Sequence, residues 1–503
     1  MKKAKAIQIC GTGSGVGKSV IVAGLCRIFL QDGFKVCPFK AQNMALNSFV
    51  TRERGEIGRA QAGQAAACRI EPSVDMNPIL IKPTSDIGSQ IIVRGKSIGN
   101  MKAAEYIKNK KNLRSVVRRS FARLSSAHDI IVIEGAGSPA EINLKKHDLV
   151  NMKMARHARA PVILVGDIDK GGVFAWIVGT LELLTKEERK MIKGIIINKF
   201  RGDKSLLSPA IKFLEKRTGI KVLGVVPYFK DITIPEEDSV SLDERTQSGG
   251  CGMIKKRIDV AVIKLPHISN FTDFDALEIE EDVALRYVKN TEELKNPDLI
   301  ILPGTKNTIS DLKYLKTSGL AERIISRVSS NSLVFLLGIC GGYQMLGRKI
   351  SDKYYLESND GQIKGLGIAP ISTRLAKDKI LSRVRAREVS SGTEISGYEI
   401  HHGLSGYKGR LKPFFEIIER DGKKTSDFDG LRTDDGRISG TYIHGLFDTD
   451  AFRRDYLNMI RQSKGWQPLP QKIHFDPDKE FDKLADLLRR NIDMKSLYEL
   501  TGV

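Results

Sequence analysis

Six short apolar runs, at residues 6–10, 35–39, 130–134, 161–165, 194–198 and 222–226, recur through the first half of the chain with helix-like stretches between several of them. Runs this short and this rich in Val and Ile are strands buried on both faces, and their alternation with helices requires crossover connections. The outcome is a mostly parallel, doubly wound sheet covered by helices. Around residues 236–257 the pattern stops: "EEDSVSLDERTQSGGCGMIKKR" is polar, glycine-rich and without periodicity, which marks a linker. Strands resume at 258–263, 298–302 and 333–337, a further one precedes His444, and residues 451–503 read as a helix-rich tail. The fold class expected is therefore α/β with two domains, over 1–235 and 258–450, and with the 451–503 tail wrapping back over the second.

The first strand runs into "GTGSGVGKS". This stretch fits no register of the dinucleotide pattern G-x-G-x-x-G, and it misses the strict phosphate-loop spacing by one residue, because Thr12 stands where the first glycine usually sits. The working parts are nonetheless present: a strand, a glycine turn, then Gly17-Lys18-Ser19 opening a helix from Val20 to about Leu30. Backbone N–H groups along Thr12, Gly13, Gly15, Val16 and Gly17 can cradle phosphates, Lys18 can reach the β- and γ-phosphates of ATP, and Ser19 can ligate Mg2+. "HDIIVIEGAGS" ends a strand on Glu134, which suits either a metal-binding carboxylate or a helix-capping acid. In "CPFKAQNMALNS", Lys40, Gln42 and Asn43 follow a strand's C-terminal end, the usual ligand edge of an open α/β sheet; the amides also suit turns.

The second half carries "LLGICGGYQMLG". Cysteine is most often packing material. Here Gly338-Ile339-Cys340-Gly341-Gly342 has the form of a nucleophile elbow, in which a tight strand-to-helix turn exposes a reactive side chain and glycines admit close backbone approach. The expected elbow strand is Leu333 to Leu337.

A net charge of +21 raises the question of nucleic acid. The densest basic patch, eight Lys or Arg between Lys102 and Arg123, has helical periodicity with Ala104, Ile107, Leu113, Val117, Phe121 and Leu124 available for an inner face. A solvated helix face explains it better than a binding surface, since no nucleic-acid fold signature accompanies it. The positive field also suits a polycarboxylate or a nucleotide. The basic-then-apolar N-terminus imitates a signal peptide, but it runs straight into the glycine loop, and no uncharged run approaches the roughly 18 residues of a membrane helix. A cytoplasmic protein with no membrane partner is expected. Six scattered cysteines show neither C-x-x-C nor zinc spacing, so inert thiols are expected away from Cys340.

The phosphate loop is similar to that of dethiobiotin synthetase and its relatives. The cysteine elbow followed by "GTYIHGLFD" resembles the class I-like, triad-type glutamine amidotransferase domain of the cobyrinic/cobyric acid synthase family. Longer stretches, among them "MNPILIKPTSDIGSQIIVRGK", "GDIDKGGVFA", "LPHISNFTDFDAL", "LPGTKNTISDL" and "GYEIHHG", point to its cobyric acid synthase branch and cover most of residues 6 to 450. The resemblance implies L-glutamine, ATP and a corrinoid polycarboxylate as substrates, with Mg2+. Cys340 would be the nucleophile and His444 the proton shuttle, with backbone N–H groups at Gly304 and Gly341 as the oxyanion hole. Lys82 joins Lys40, Gln42 and Asn43 as a corrinoid-binding candidate. The branch that makes the a,c-diamide of cobyrinic acid is the alternative. Self-association is left open. His444-Gly445-Leu446 lacks the glutamate that many amidotransferases place two residues after the histidine, which leaves Glu399 and Asp448 as candidates to orient the ring. His401 and His402 read as structural.

Overall fold

The computed structural model describes residues 3–84, 88–229, 256–330, 333–407 and 412–503, together with Ile232 and Ile234. The linker expected at 236–257 lies almost wholly outside the described residues. The chain forms two compact units: one of Met1–Ala45, Gly55–Glu237 and Asp476–Val503, the other of Leu46–Arg54 and Asp238–Phe475. Neither unit is continuous in sequence. This departs from the expected division at two places, the excursion of residues 46–54 and the C-terminal tail.

The first unit is built on six parallel strands, β1 (Lys5–Gly11), β2 (Val36–Phe39), β3 (Ile130–Glu134), β4 (Val162–Asp167), β5 (Ile192–Phe200) and β6 (Val222–Pro227), in the order β6-β5-β4-β1-β3-β2. β1, β3 and β4 are almost wholly buried, as apolar runs covered on both faces must be. The strand order reverses beside β1, so the loop after β1 opens at the switch point where ligands of such sheets bind. The helix α1 (Lys18–Gln31) packs on one face, and α2 (Ala103–Ala127) on the other. On α2, Leu113, Val117, Phe121 and Leu124 are buried as the periodicity predicts, and Arg114, Arg118 and Arg119 are exposed. Ala104 and Ile107 are exposed instead of inward, and Tyr106 is buried in their stead, its hydroxyl donating to Gln42 Oε1 (2.6 Å). A four-stranded sheet (Asn43–Met44, Ile79–Pro83, Gly88–Val93 and Lys96–Lys102) adjoins this face.

The tail corrects a second expectation. Helix Asp450–Ser463 does belong to the second unit, burying Phe452, Tyr456 and Leu457 in its core. Helices Pro477–Asn491 and Met494–Thr501 return to the first unit, where Phe481, Leu484, Leu488 and Leu497 complete the core around α1. A Cβ at Gly24 would meet Leu488 Cδ1 at 2.3 Å, so glycine sets how closely the two helices approach. Arg27 is buried at this interface and bonds Asp478. An amphipathic helix announces that it covers something apolar; which sheet it covers depends on the packing partners.

The second unit holds β7 (Ile258–Ile263), β8 (Val283–Val288), β9 (Leu299–Leu302), β10 (Phe335–Ile339), β11 (Leu431–Arg432) and β12 (Ile438–Thr441), in the order β8-β7-β9-β10-β12-β11, parallel except for the edge β11. The elbow strand starts two residues later than expected. Phe335 N bonds Asp298 O (2.8 Å) and Leu299 pairs with Phe335, so the ladder fixes the strand while Leu333 is left 56% exposed. A long antiparallel hairpin, Ile371–Glu388 with Glu394–Tyr407, brings Tyr398 and Glu399 against the short strand Ile443–His444. Among the described residues, no helix is long and apolar enough to cross a membrane.

Candidate active sites

The phosphate loop spans the gap between β1 and α1. Gly15 and Gly17 take positive φ (70° and 96°), the left-handed region where a side chain is strained, and a Cβ at Gly17 would strike Asn198 Nδ2 at 2.1 Å. Asn198 Nδ2 in turn donates to Val16 O (2.9 Å), and Lys199 Nζ to Gly15 O (2.8 Å), so the end of β5 fixes the loop from beside it. Lys18 is 6% exposed and lies back along the loop, donating to Gly13 O (2.7 Å) and Gly137 O (3.2 Å). Cβ atoms at Gly13 or Gly15 would meet nothing within 4 Å, and Thr12 Oγ1 is buried with no hydrogen-bond partner among the described residues. An open cradle of backbone N–H groups at the start of a 14-residue helix fits an anion.

Beneath the loop, Glu134 at the end of β3 is fully buried. Ser19 Oγ donates to its Oε1 (2.8 Å), Lys40 Nζ pairs with the same oxygen (2.8 Å), and Gln64 Nε2 donates to Oε2. Burial pushes the carboxyl up, but Lys40 first, then Gln64 and Ser19, outweigh burial and hold it below the usual carboxylate range. A hydroxyl and an ionised carboxylate side by side are the hard oxygen donors that Mg2+ takes together with a substrate's phosphates. Ser19 and Glu134 thus fit that ion.

In the second unit, Cys340 sits between β10 and the helix α3 (Gly341–Leu346), at φ 52° and ψ −105°. It is the one cysteine among the described residues with a left-handed backbone. Such a conformation costs on the order of 1–3 kcal/mol and persists only where the surroundings impose it. Here Cys340 N bonds Thr441 O on β12 (2.8 Å), a Cβ at Gly338 would meet Gly342 O at 2.8 Å, and one at Gly342 would meet Leu302 O at 1.9 Å. The frame glycines are therefore obligatory.

His444 is 1% exposed, and its Nδ1 donates to Asp273 Oδ2 (2.6 Å) while Gly445 N donates to Oδ1 (3.0 Å). Its Nε2 is buried with no hydrogen-bond partner among the described residues, and the Tyr398 ring stacks on the imidazole (5.3 Å between centroids, 19° between planes). Burial alone favours the neutral ring. The Asp273 carboxylate, by its charge and its hydrogen bond, and then the adjoining Cys340 sulfur overrule burial and push the imidazole up to about 10. Elsewhere in the chain, burial pushes the Cys10 thiol up to about 12 and holds Cys26 and Cys37 well above the ordinary thiol range. Gly304 lies beside the imidazole, since a Cβ there would meet His444 Cε1 at 2.9 Å, and one at Gly341 would meet Thr305 Cγ2 at 2.6 Å.

Residues 7–242 match the CobQ/CobB/MinD/ParA nucleotide binding domain, and residues 259–452 match the CobB/CobQ-like glutamine amidotransferase domain. The chain is similar to cobyric acid synthase of Dehalococcoides mccartyi strain CBDB1, 51% identical over 505 residues that cover 99% of each chain. It is likewise similar to cobyric acid synthases of Clostridium novyi strain NT (50% identical, 99% and 98% covered) and Syntrophobacter fumaroxidans strain DSM 10017 / MPOB (47% identical, 100% and 99% covered). The chain belongs to the cobyric acid synthase family.

For this member of the family, the group that orients His444 is Asp273, and the two carboxylates considered from sequence are corrected. Glu399 accepts from Ser382 Oγ (2.8 Å) and bonds Arg420; despite burial, His401, Arg420 and Ser382 hold it below the usual carboxylate range. Asp448 lies near Gly445, where a Cβ would meet its Oδ2 at 3.4 Å, but His444 Nδ1 is already bonded to Asp273. Asp273 lies in the family-like stretch "NFTDFDAL", yet it is 171 residues from His444, and no spacing rule links the two. His401 Nδ1 bonds Gly403 O (2.7 Å) and its ring stacks on Tyr442, while His402 Nδ1 bonds Ala376 O (3.0 Å).

The substrate-binding candidates fall into different networks. Lys40 belongs with Glu134, Asn43 Nδ2 donates to Gln61 Oε1 (2.8 Å), Gln42 accepts from Tyr106, and buried Lys82 pairs with Glu56 Oε1 (2.7 Å). Gln64 carries no sequence signal of its own, and Asn198 and Lys199, within the family-like stretch "INKFRGD", carry none of their role, because each acts on a loop or a carboxylate distant in the chain.

Proposed function

We propose that this protein is an ATP-dependent, glutamine-hydrolysing ligase that amidates the b, d, e and g side-chain carboxylates of adenosylcobyrinic acid a,c-diamide, giving adenosylcobyric acid in cobalamin biosynthesis in the cytoplasm. The observation that carries this reading is Cys340, held at positive φ beside a His444–Asp273 pair, in a chain whose other unit carries a phosphate loop.

The Cys340 thiolate attacks the side-chain carbonyl carbon of glutamine, the C–N bond breaks, and His444, cationic at neutral pH, gives its proton to the nitrogen that departs as ammonia. Amide N–H groups at Gly341 and Gly304 stabilise the oxyanion; Gly342 N is engaged by Pro303 O (3.1 Å), which leaves Gly341 as the elbow's donor. Water, deprotonated by neutral His444, then releases glutamate from the thioester. In the other unit Lys18 and the start of α1 hold the triphosphate while a corrinoid carboxylate oxygen takes the γ-phosphoryl group. Ammonia adds to the acyl phosphate and phosphate leaves. Ser19 and Glu134 would hold Mg2+, which would neutralise phosphate charge there. Lys40, Gln42, Asn43 and Lys82 are the residues that would meet the corrinoid's carboxylates.

Mass spectrometry of products from purified protein with ATP, glutamine and each corrinoid precursor tests the assignment. Four amides gained on the a,c-diamide is the expected result. Amidation of the parent acid that stops at two moves the protein to the a,c-diamide-forming branch.

A further inference from the structure

Residues 46–54 lie within the sequence matched to the nucleotide binding domain, yet they fold with the glutaminase unit. The excursion is bracketed by candidate corrinoid contacts: Asn43 stands three residues before Leu46, and Glu56, the partner of Lys82, two residues after Arg54. What the segment does in the second unit is specific. Ser48 N donates to Asn270 Oδ1 (2.9 Å), and Asn270, at φ 55°, opens the turn in which Asp273 N bonds Asn270 O (3.0 Å). The Phe49 ring lies 5.3 Å from that of Tyr398, and Val50 is buried against Tyr398 and Ile400. Tyr398 is the ring stacked on His444, and Cys340 Sγ lies 3.8 Å from Ile400 O. Arg383 fastens the segment, its guanidinium 5.2 Å from the centre of the Phe49 ring and its Nε donating to Val50 O (3.2 Å).

One strip of chain therefore supports His444 on one face, through the stacked Tyr398, and at its Nδ1 edge, through the turn that delivers Asp273. We propose that residues 46–54 are a positioning element of the glutaminase centre, through which occupancy of the corrinoid site sets the rate of glutamine hydrolysis. This rests on the function proposed above. None of these residues touches the reacting atoms. Their action is on the orientation of the imidazole, and a small misplacement of a proton-transfer group is enough to lower turnover strongly. The two ends of the strip continue into Asn43 and Glu56, so an acceptor that reorders those residues pulls on the element directly.

The test is glutamate release by Phe49→Ala, measured with and without ATP and the corrinoid a,c-diamide, alongside amidation driven by ammonium salt. In the unchanged protein, ATP and corrinoid together should raise glutaminase kcat. In the variant, the stimulated kcat should fall about tenfold and the stimulation should vanish, with the KM for glutamine little altered. Ammonium-driven amidation should stay as it was, and Phe49→Tyr should restore glutamine turnover. Asn270→Gly, which keeps the left-handed turn and removes the acceptor for Ser48 N–H, should act in the same direction if Phe49→Ala folds poorly. Glutaminase kcat and stimulation unchanged in both variants, no stimulation in the unchanged protein, or glutamine and ammonium rates falling together would each overturn the inference. Failure of the unchanged protein to amidate the corrinoid from either nitrogen source sinks the proposed function instead; glutamate release still reads whether Phe49 positions His444.

Discussion

The phosphate loop and the cysteine elbow are both strand-to-helix turns at the ends of parallel strands, yet they are built in opposite ways. The loop is one continuous stretch whose glycines supply positive φ at Gly15 and Gly17 without strain, and whose ligand-facing groups are backbone N–H donors. The elbow places the positive φ on Cys340 itself and meets the cost with two separate segments, at Leu302 and Thr441, while a third, at Asp273, holds the histidine beside it. The two chemistries need different things of the chain. Binding phosphate requires many equivalent donors, which a local turn provides. Splitting an amide requires a sulfur, an imidazole and a carboxylate in one line, and no short stretch of chain can supply three side chains aimed at a point.

The largest effects should separate the two sites by nitrogen source. Lys18→Ala removes the loop's fixed charge toward the γ-phosphate and should lower amidation from glutamine and from ammonium alike, by about 10³-fold or more. Cys340→Ala should lose glutamine-driven amidation to below detection while retaining the rate with concentrated ammonium salt at alkaline pH. Equal losses from both sources in Cys340→Ala, with the fold intact, would show that the elbow is only structural.

Next in size is Asp273→Asn, which keeps the shape but removes the charge beside His444. Glutamine-driven kcat should fall by about 10²–10⁴-fold, the contribution typical of an oriented acid–base group. The same pair predicts a stability profile. The folded imidazole, raised to about 10 against an ordinary value of 6.5, contributes stability that is fully present below 6.5 and lost as pH rises through 10. Denaturant midpoints of the second unit should decline over that range, and the decline should flatten in Asp273→Asn; an unchanged slope would remove Asp273 as its cause.

A smaller effect distinguishes the units by stability. Leu488→Ala should destabilise the first unit by about 2–5 kcal/mol, as loss of a fully buried leucine does, and leave the melting of the second unit unmoved. The smallest effect concerns Asp429, which accepts from Thr441 Oγ1 and Tyr442 N behind the elbow. Burial first, then the charge of Glu399, pushes it up to about 7. Its ionisation therefore costs stability progressively as pH rises from about 4 to 7. Asp429→Asn should remove that slope while changing stability at pH 5 by no more than about 1 kcal/mol.

The sequence by itself determined the two parallel sheets, the phosphate loop and the elbow, and it singled out Cys340, His444 and Lys18 as candidates while leaving Glu134 open between metal ligand and helix cap. These are legible because each depends on local pattern: apolar runs of strand length, glycines that only a tight turn requires, a lysine and serine opening a helix. Only the tertiary structure decided that Asp273 orients His444, that Lys40 and Gln64 keep Glu134 ionised, that residues 477–503 complete the core of the first unit, and that residues 46–54 fold with the second. The physical reason is common to all four. A carboxylate finds its hydrogen-bond donor, and an amphipathic helix its apolar face, by distance in space, and chain separation carries no information about that distance once the chain has folded.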